Sequence, residues 1–127
     1  MKLHYKYRLY PNKTQETKLR QFGGATRYLW NQFLTKQKQE YDQNKKFIFF
    51  AGMCADLTKE KQNITWLKDI HSQVLQQKLK DLDTSLKNCF KYKRGFPKYK
   101  KKSNFSDSFR YTQGIKLDQN KVFLPKI

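Results

Sequence analysis

Two long segments of the sequence carry apolar residues at spacings of three and four, and this pattern constrains the fold more than any other feature. In the first segment the stripe consists of Leu19, Phe22, Thr26, Leu29, Trp30, Phe33 and Leu34. In the second it consists of Leu75, Leu79, Leu82, Leu86 and Phe90. Because an α-helix has 3.6 residues per turn, each set lies along one helical face. The sequence therefore predicts two long amphipathic helices with buried apolar stripes.

The first helix has a recognisable start. Asn12 followed by Gln15 resembles a capping box, and the apolar stripe then continues to about Tyr41. Gly23 and Gly24 lie inside this helix, where each glycine costs about 1 kcal/mol relative to alanine. A kink is the favoured interpretation of this pair, and close approach of another backbone is the alternative.

The chain between and after these stripes predicts two further helix boundaries. A short helix is expected from Ala51 to Lys61, and the leucine-rich helix is expected to open at Asp69 or His71. Three helices joined by short turns are compatible with a helix-turn-helix arrangement.

Both ends of the chain show strand patterns. Residues 2–10 alternate between apolar and basic side chains, which predicts a half-buried strand ended by Pro11. Near the other end, residues 115–117 and 122–124 flank the turn sequence 118–120, which predicts a hairpin. The expected fold class is α+β, with a three-helix bundle (residues 12–92) inserted into a small, incomplete antiparallel β-barrel (residues 1–11 and 93–127).

The charge balance points to a polyanionic partner. Lys and Arg number 28 against 10 Asp and Glu, giving a formal net charge of +18. Nucleic acid is the expected counter-charge where basic residues alternate with aromatic and amide side chains. No apolar run approaches the length of a membrane span, and no signal peptide is evident. The expectation is a cytoplasmic protein without membrane contact.

Residues 87–102 concentrate this charge. Eight Lys or Arg occur in these sixteen residues, interleaved with Phe90, Tyr92, Phe96 and Tyr99. One interpretation is a phosphate-binding segment whose Phe96 and Tyr99 stack on bases. The other is a solubilising loop whose aromatic rings only cover the β-unit. The near absence of acidic residues favours the first.

No catalytic or metal-binding constellation is found in the sequence. Cys54 and Cys89 are isolated, and so are His4 and His71, whereas a zinc site needs four clustered ligands. The predicted catalytic residues, metal ligands and cofactors are therefore none.

Several segments together resemble the N-terminal region of TnpB/OrfB proteins, which are transposon-encoded RNA-guided DNA nucleases. The segments are residues 7–12 with Gln15, 25–34, 66–67, 75–82, 95–102, 108–111 and 124–126. Their order and spacing hold over essentially the whole chain. The resemblance implies a β-barrel wedge domain interrupted by a helical recognition domain, a region also described as a transposase helix-turn-helix.

The resemblance also implies what else such proteins contain. In the family a RuvC-like nuclease and a zinc ribbon follow this region, and neither is evident here. The chain is therefore expected to lack enzymatic activity and to be an engineered fragment, a truncated gene or a stand-alone derivative. The implied partners are a guide RNA from the transposon end, double-stranded DNA and, in one alternative, a separate RuvC-type nuclease chain.

Particular residues match contacting positions of the family. The DNA-binding set implied by the resemblance is Phe50, Cys54, Ser72, Gln73, Gln76, Tyr111 and Thr112. Glutamine can bond adenine edges in the major groove, whereas a solvated polar face is the structural alternative for this part of the third helix. For Phe50 and Cys54 a core position is at least as good an interpretation.

A second set is expected to hold RNA or phosphate. It consists of Lys6, Arg8, Lys91, Lys93, Arg94, Lys98, Lys100, Lys101, Lys102, Arg110 and Gln113. The predicted function is a nucleic-acid-binding recognition module. A subunit that needs a separate nuclease chain, and a basic structural protein with nonspecific charge, are the alternatives.

Overall fold

The structure is a computed structural model of the 127-residue chain and describes residues 3–93, 95–102 and 108–127. Its helices are α1 (Lys13–Asn44), α2 (Phe50–Asn63) and α3 (Ser72–Lys91), with a short 3₁₀ helix at Thr65–Asp69. Strands β1 (Lys116–Leu117) and β2 (Val122–Phe123) form an antiparallel pair that aligns Lys116 with Phe123. The three predicted helices and the predicted hairpin are confirmed.

The start of α1 is the predicted capping box. The Gln15 amide donates to Asn12 Oδ1 at 2.9 Å, and the Asn12 amide donates to Gln15 Oε1 at 3.0 Å. These two bonds satisfy amide groups that have no partner within the helix. The helix continues without interruption through Gly23 and Gly24. It ends at Asn44, and the capping residue Lys45, in a left-handed conformation, donates its amide to the Tyr41 carbonyl.

The core lies between the apolar faces of α1 and α3, with α2 packed against α3. Both predicted stripes contribute, because a helix with one apolar face must bury it against another element. The buried apolar side chains are Phe22, Ala25, Leu29, Trp30, Phe33, Leu34, Met53, Leu57, Leu67, Ile70, Val74, Leu75, Leu79, Leu82 and Leu86. Phe90, the last residue of the second stripe, is exposed.

The strand predicted at residues 2–10 is absent from the described residues 3–10, which is a correction to the sequence analysis. Leu3, Tyr5, Tyr7 and Leu9 do alternate, but all four are exposed. A strand needs a neighbouring strand to pair its backbone groups. Within the described residues the sheet consists of β1 and β2, with two residues each, and residues 3–10 do not pair with it. The α+β class holds in this reduced form, and the barrel and its domain limits stay predictions.

None of the helices in the described ranges combines the length and the apolar composition of a membrane span.

The α1–α3 packing can be tested at Leu79, which is fully buried on α3. Leu79→Ala should lower the free energy of unfolding by about 2–5 kcal/mol, because it removes buried methyl groups and leaves a cavity. Leu117→Ala, at an exposed position of β1, should change it by no more than about 0.5 kcal/mol. Urea unfolding followed by circular dichroism measures both, and equal losses would contradict the assigned core.

Candidate nucleic-acid interface

An asparagine on α1 holds the basic segment that follows α3. Asn31 Nδ2 donates to the Lys100 carbonyl at 2.8 Å, and the Lys100 amide donates to Asn31 Oδ1 at 2.7 Å. The indole Nε1 of Trp30 donates to the Lys98 carbonyl at 2.9 Å. The Asn31 side-chain amide thus bonds both the N–H and the C=O of Lys100, as the backbone of a neighbouring β-strand would. Residues 95–102, which we call the basic segment, are thereby fixed along α1.

The same kind of contact fixes the loop between α1 and α2. Gln37 is buried, and its side-chain amide donates to the Ile48 carbonyl while its Oε1 accepts from the Ile48 amide at 2.8 Å. Asn31 and Gln37 together make α1 a support to which two non-helical segments attach through backbone groups.

The attachment places one lysine of the basic segment against α1 and leaves the other three exposed. The Nζ of Lys100 lies 4.6 Å from the centre of the Trp30 ring, so its charge is placed against α1 as a cation–π contact. Lys98, Lys101 and Lys102 are exposed. Three of the four predicted phosphate-binding lysines here therefore extend into solvent.

The aromatic residues of the basic segment are used partly for packing. Phe96 packs against the core cluster, and the Tyr99 hydroxyl lies 3.0 Å from the Thr35 hydroxyl within hydrogen-bonding distance. Lys38 Nζ lies 4.4 Å from the centre of the Tyr99 ring. Tyr99 nevertheless remains exposed. A packing role for these aromatic rings is therefore compatible with the predicted stacking on bases.

A second segment, residues 108–112, lies along α3. The Thr112 hydroxyl donates to Gln73 Oε1 at 3.0 Å, and Arg110 donates to Gln77 Oε1 at 3.1 Å. Arg110 also forms an ion pair with Asp81. Because the α3 partners are spaced four residues apart, they share one helical face.

Lys78 on α3 binds the start of this segment. It is buried, and its Nζ donates to the Ser108 carbonyl at 3.0 Å and lies 5.8 Å from the centre of the Trp30 ring. A buried ammonium needs such partners, because its desolvation is costly. The helix α3 thus holds residues 108–112 through both buried and exposed contacts.

Aromatic packing holds residues 109–111 from the other side. The Phe22 ring lies 5.6 Å from that of Phe109 and 6.4 Å from that of Tyr111, and the His71 ring lies 5.3 Å from that of Tyr111. The Tyr111 hydroxyl donates to the Pro125 carbonyl at 2.8 Å. Burial raises the pKa of Tyr111 to about 12. Tyr111, predicted to contact DNA, is thus also part of the packing.

The N-terminal end of α3 brings together the predicted duplex-reading residues. Ser72 is exposed and Gln76 is half-buried, and the Gln76 side chain forms no hydrogen bond within the part of the chain that the structure describes. Gln73 is occupied by Thr112. The helix N-terminus adds positive potential at this end. Of the three predicted side chains, Ser72 and Gln76 remain open to a ligand.

Lysines that the sequence analysis did not select lie beside this helix end. Lys126 Nζ donates to the Lys68 carbonyl at 2.7 Å. Burial, with a further contribution from the charge on Lys126, lowers the pKa of Lys61 and that of His71. Lys126 therefore adds positive charge close to His71, the residue before Ser72, and Lys61 lies within electrostatic reach of Lys126. Only their spatial proximity identifies them, since they are 65 positions apart in the sequence.

Phe50 and Cys54 occupy α2. Phe50 packs against the core cluster, and Lys80 Nζ lies 5.7 Å from the centre of its ring. Cys54 is half-buried, and burial raises the pKa of its thiol. Both residues thus contribute to packing, and their contact with DNA stays a prediction.

The remaining predicted phosphate-binding residues belong to three separate parts of the sequence. Lys6 and Arg8 are exposed in the N-terminal segment, where Arg8 stacks on the Tyr10 ring at 5.7 Å. Lys91 and Lys93 are exposed at the end of α3, and Gln113 is exposed after the segment along α3. Arg94 lies outside the described residues.

Carboxylates in the described ranges are largely engaged by neighbouring side chains. The pairs are Glu16–Arg20, Glu60–Lys36, Asp83–Lys87 and Asp81–Arg110, and Glu40 accepts from Asn44. Within the described residues, no group of three or more His, Cys, Asp and Glu is placed to hold a metal ion. The positive charge of the interface is thus left with few carboxylates to oppose it.

Comparison with known families finds a helix-turn-helix domain in the first part of the chain. The helix-turn-helix domain of the OrfB family of IS605 elements matches residues 1–46. Within the described part of that range the helix is α1, so the α2–α3 pair lies beyond the matched residues.

Two relatives extend the match along the chain. The protein named RNA-guided DNA endonuclease InsQ, from Escherichia coli K12, is 41% identical over 127 residues, covering 97% of this chain and 31% of InsQ. A protein of Streptomyces pristinaespiralis, also named RNA-guided DNA endonuclease, is 28% identical over 115 residues, covering 89% of this chain and 29% of that protein. The chain therefore spans about a third of the length of these relatives. These matches confirm the resemblance to TnpB/OrfB proteins seen in the sequence.

The attachment of the basic segment can be tested at Asn31. Asn31→Ala removes two backbone contacts, worth about 1–3 kcal/mol together, so the segment should detach roughly 5- to 100-fold more often. Limited trypsin digestion should then cut after Lys98, Lys101 and Lys102 faster than in the wild type. Asn63→Ala, at the exposed end of α2, should leave these rates unchanged. Unchanged cleavage in the Asn31 variant would contradict the attachment.

Burial of Tyr111 predicts a stability change at high pH. The folded pKa, about 12, lies above the ordinary value of 10.0, so the contribution to stability is complete below pH 10 and is lost as pH rises towards 12. Urea unfolding at about pH 9 and about pH 11 should show a smaller loss for Tyr111→Phe than for wild type. Tyr10→Phe, at an exposed position, serves as the control and should lose as much as wild type.

Proposed function

We propose that this chain is a nucleic-acid recognition module that binds a guide RNA and the duplex DNA motif adjacent to the transposon end. The observation that carries the proposal is the Asn31 attachment, which holds the basic segment along α1 and leaves Lys98, Lys101 and Lys102 exposed. Exposed lysines on a segment held in place are suited to the phosphates of a polynucleotide, and release of counterions then drives binding.

Sequence preference is assigned to the N-terminal end of α3. Ser72 and Gln76 are the polar side chains left open there, and Lys126, with Lys61 within its electrostatic reach, adds positive charge close to His71. A glutamine that reaches the major groove can bond both polar atoms of an adenine edge. The positive pole of α3 and the neighbouring lysines favour the adjacent phosphates. In this arrangement the basic segment contributes affinity and α3 contributes selectivity.

The names of the relatives support the choice of ligands. Both are called RNA-guided DNA endonucleases, and this chain matches about a third of each. We assign to the chain the recognition part of that activity and leave cleavage to the nuclease region of such proteins. The pairing of Glu16, Glu60, Asp81 and Asp83 with cationic side chains supports this division.

Salt dependence tests the role of the basic segment. Lys101→Ala with Lys102→Ala should weaken binding to all sequences and flatten the slope of log affinity against log salt by about two. Lys13→Ala with Lys121→Ala removes the same charge from exposed residues at the start of α1 and between β1 and β2, which belong neither to the basic segment nor to the α3 site, and is the control. The control should leave the slope nearly unchanged. Equal effects of the two double variants would favour nonspecific charge.

Selection from a randomised duplex tests the role of α3. With guide RNA present, Gln76→Ala should lose about 1–3 kcal/mol on the preferred motif and little on random DNA, because only the motif offers a matching base edge. The Lys101/Lys102 variant should select the same motif as wild type with lower affinity. Absence of any selected motif with wild type would contradict the recognition proposal. An unchanged motif preference for Gln76→Ala, combined with a changed one for the lysine variant, would reverse the assigned roles.

A further inference from the structure

A cluster of aromatic rings lies where the end of α1, the α1–α2 loop and the end of α3 meet. Tyr41 and Phe47 stack with ring centres 4.8 Å apart and planes at 23°. The Phe47 ring also lies 4.9 Å from that of Phe90 and 6.4 Å from that of Phe96. We call these four residues, with Tyr99, the aromatic patch. Its rings come from four segments of the chain and hold one another in place.

Three rings of the aromatic patch are exposed to solvent. Phe90 is 56% exposed, Tyr99 is 46% exposed and Tyr41 is 42% exposed. Phe90 continues the apolar stripe of α3 beyond the core, so a large apolar side chain is left uncovered at the helix end. Leaving such rings in water forgoes the free energy that burial would give. Clustered exposed apolar surface of this kind marks a binding site.

Lysines surround the aromatic patch. Lys38 Nζ lies 4.4 Å from the centre of the Tyr99 ring and 5.8 Å from that of Phe96, and Lys45 Nζ lies 5.0 Å from that of Tyr41. Lys46 and Lys91 are the chain neighbours of Phe47 and Phe90. Two carboxylates oppose them on the last turns of α1, Glu40 and Asp42, and Glu40 accepts from Asn44.

Solvent-exposed rings with a border of ammonium groups fit one class of ligand closely. Unpaired bases stack on aromatic faces while lysines neutralise the adjoining phosphates. A duplex does not offer its base faces in this way, because its bases are already stacked on one another. An acidic peptide would use the lysines but has no planar groups for the rings. The combination of rings and charge thus favours a single-stranded polynucleotide.

We infer that the aromatic patch binds unpaired nucleotides of a single-stranded nucleic acid. This inference rests on the proposed nucleic-acid function and extends it to a site distinct from both the basic segment's lysines and the N-terminal end of α3. The patch lies at the C-terminal end of α3, whereas the duplex site lies at its N-terminal end, 20 residues and about 30 Å away. Single-stranded and duplex contacts therefore occupy opposite ends of one helix.

The sharpest probe separates bases from phosphates. Fluorescently labelled oligo(U) and oligo(dT) of about 12 nucleotides are compared with an abasic strand of the same length and charge, using the full chain. The wild type should bind the base-containing strands at least about 5-fold more tightly than the abasic strand. If both oligo(U) and oligo(dT) bind more tightly than the abasic strand, the patch binds bases without regard to the sugar. If only one of them does, that result identifies RNA or DNA as the ligand.

Two patch variants and one matched control locate the effect. Phe90→Leu and Tyr41→Leu keep an apolar side chain but remove the aromatic face, and each should weaken base-containing strands by about 5-fold or more without changing abasic or duplex binding. Phe123→Leu makes the same change at a phenylalanine of β2 that is 54% exposed, and it should change none of these affinities. Circular dichroism melting identifies any variant that fails to fold, and the other patch variant then decides.

Three results would overturn the inference. Equal wild-type affinity for base-containing and abasic strands would show that charge alone attracts the strand. Equal behaviour of the patch variants and Phe123→Leu would place base binding elsewhere. Self-association of the wild type through the patch, abolished by Phe90→Leu in sedimentation, with no base-dependent binding would assign the patch to a protein contact. If salt-dependent duplex binding persists in any of these three cases, the inference about the aromatic patch fails while the proposed nucleic-acid function stands.

Discussion

The packing of α1 against α3 determines where the two non-helical segments of the candidate interface, residues 95–102 and 108–112, lie. Apolar stripes on both helices form the core, and the polar residues beside those stripes then reach the non-helical segments. On α1, Trp30 and Asn31 hold the basic segment, and on α3, Gln73 and Gln77 hold residues 110–112. The same leucines that stabilise the fold therefore also set the geometry of the interface.

The helices could be predicted from the sequence because their signals are local. A period of 3.6 residues, a capping box and a turn between short alternating runs each lie within about a dozen residues. The predicted strand at residues 2–10 had an equally clear local pattern, but a strand requires a partner that its own sequence does not provide. The role of Asn31 could not be predicted for a similar reason. Its partner, Lys100, is 69 positions away, and an asparagine on a helix carries no mark of such a contact.

The candidate site was predictable in composition but not in arrangement. The sequence located the basic segment by its charge density, yet only the structure separates Lys100, which lies on Trp30, from its exposed neighbours Lys101 and Lys102. The resemblance selected Gln73 and Gln76 together, and the structure finds one of them occupied by Thr112. The aromatic patch escaped the sequence analysis as a unit because its rings come from segments up to 58 residues apart.

The manner in which α1 holds the basic segment separates anchoring from charge. Trp30 and Asn31 bind the backbone groups of residues 98 and 100, so the hydrogen bonds do not depend on which side chains those residues carry. Lys98, Lys101 and Lys102 can then be exchanged one at a time for neutral residues with little cost to folding, because they are exposed. The positive charge of this surface can therefore change by one unit with each substitution while the backbone that carries it stays in place.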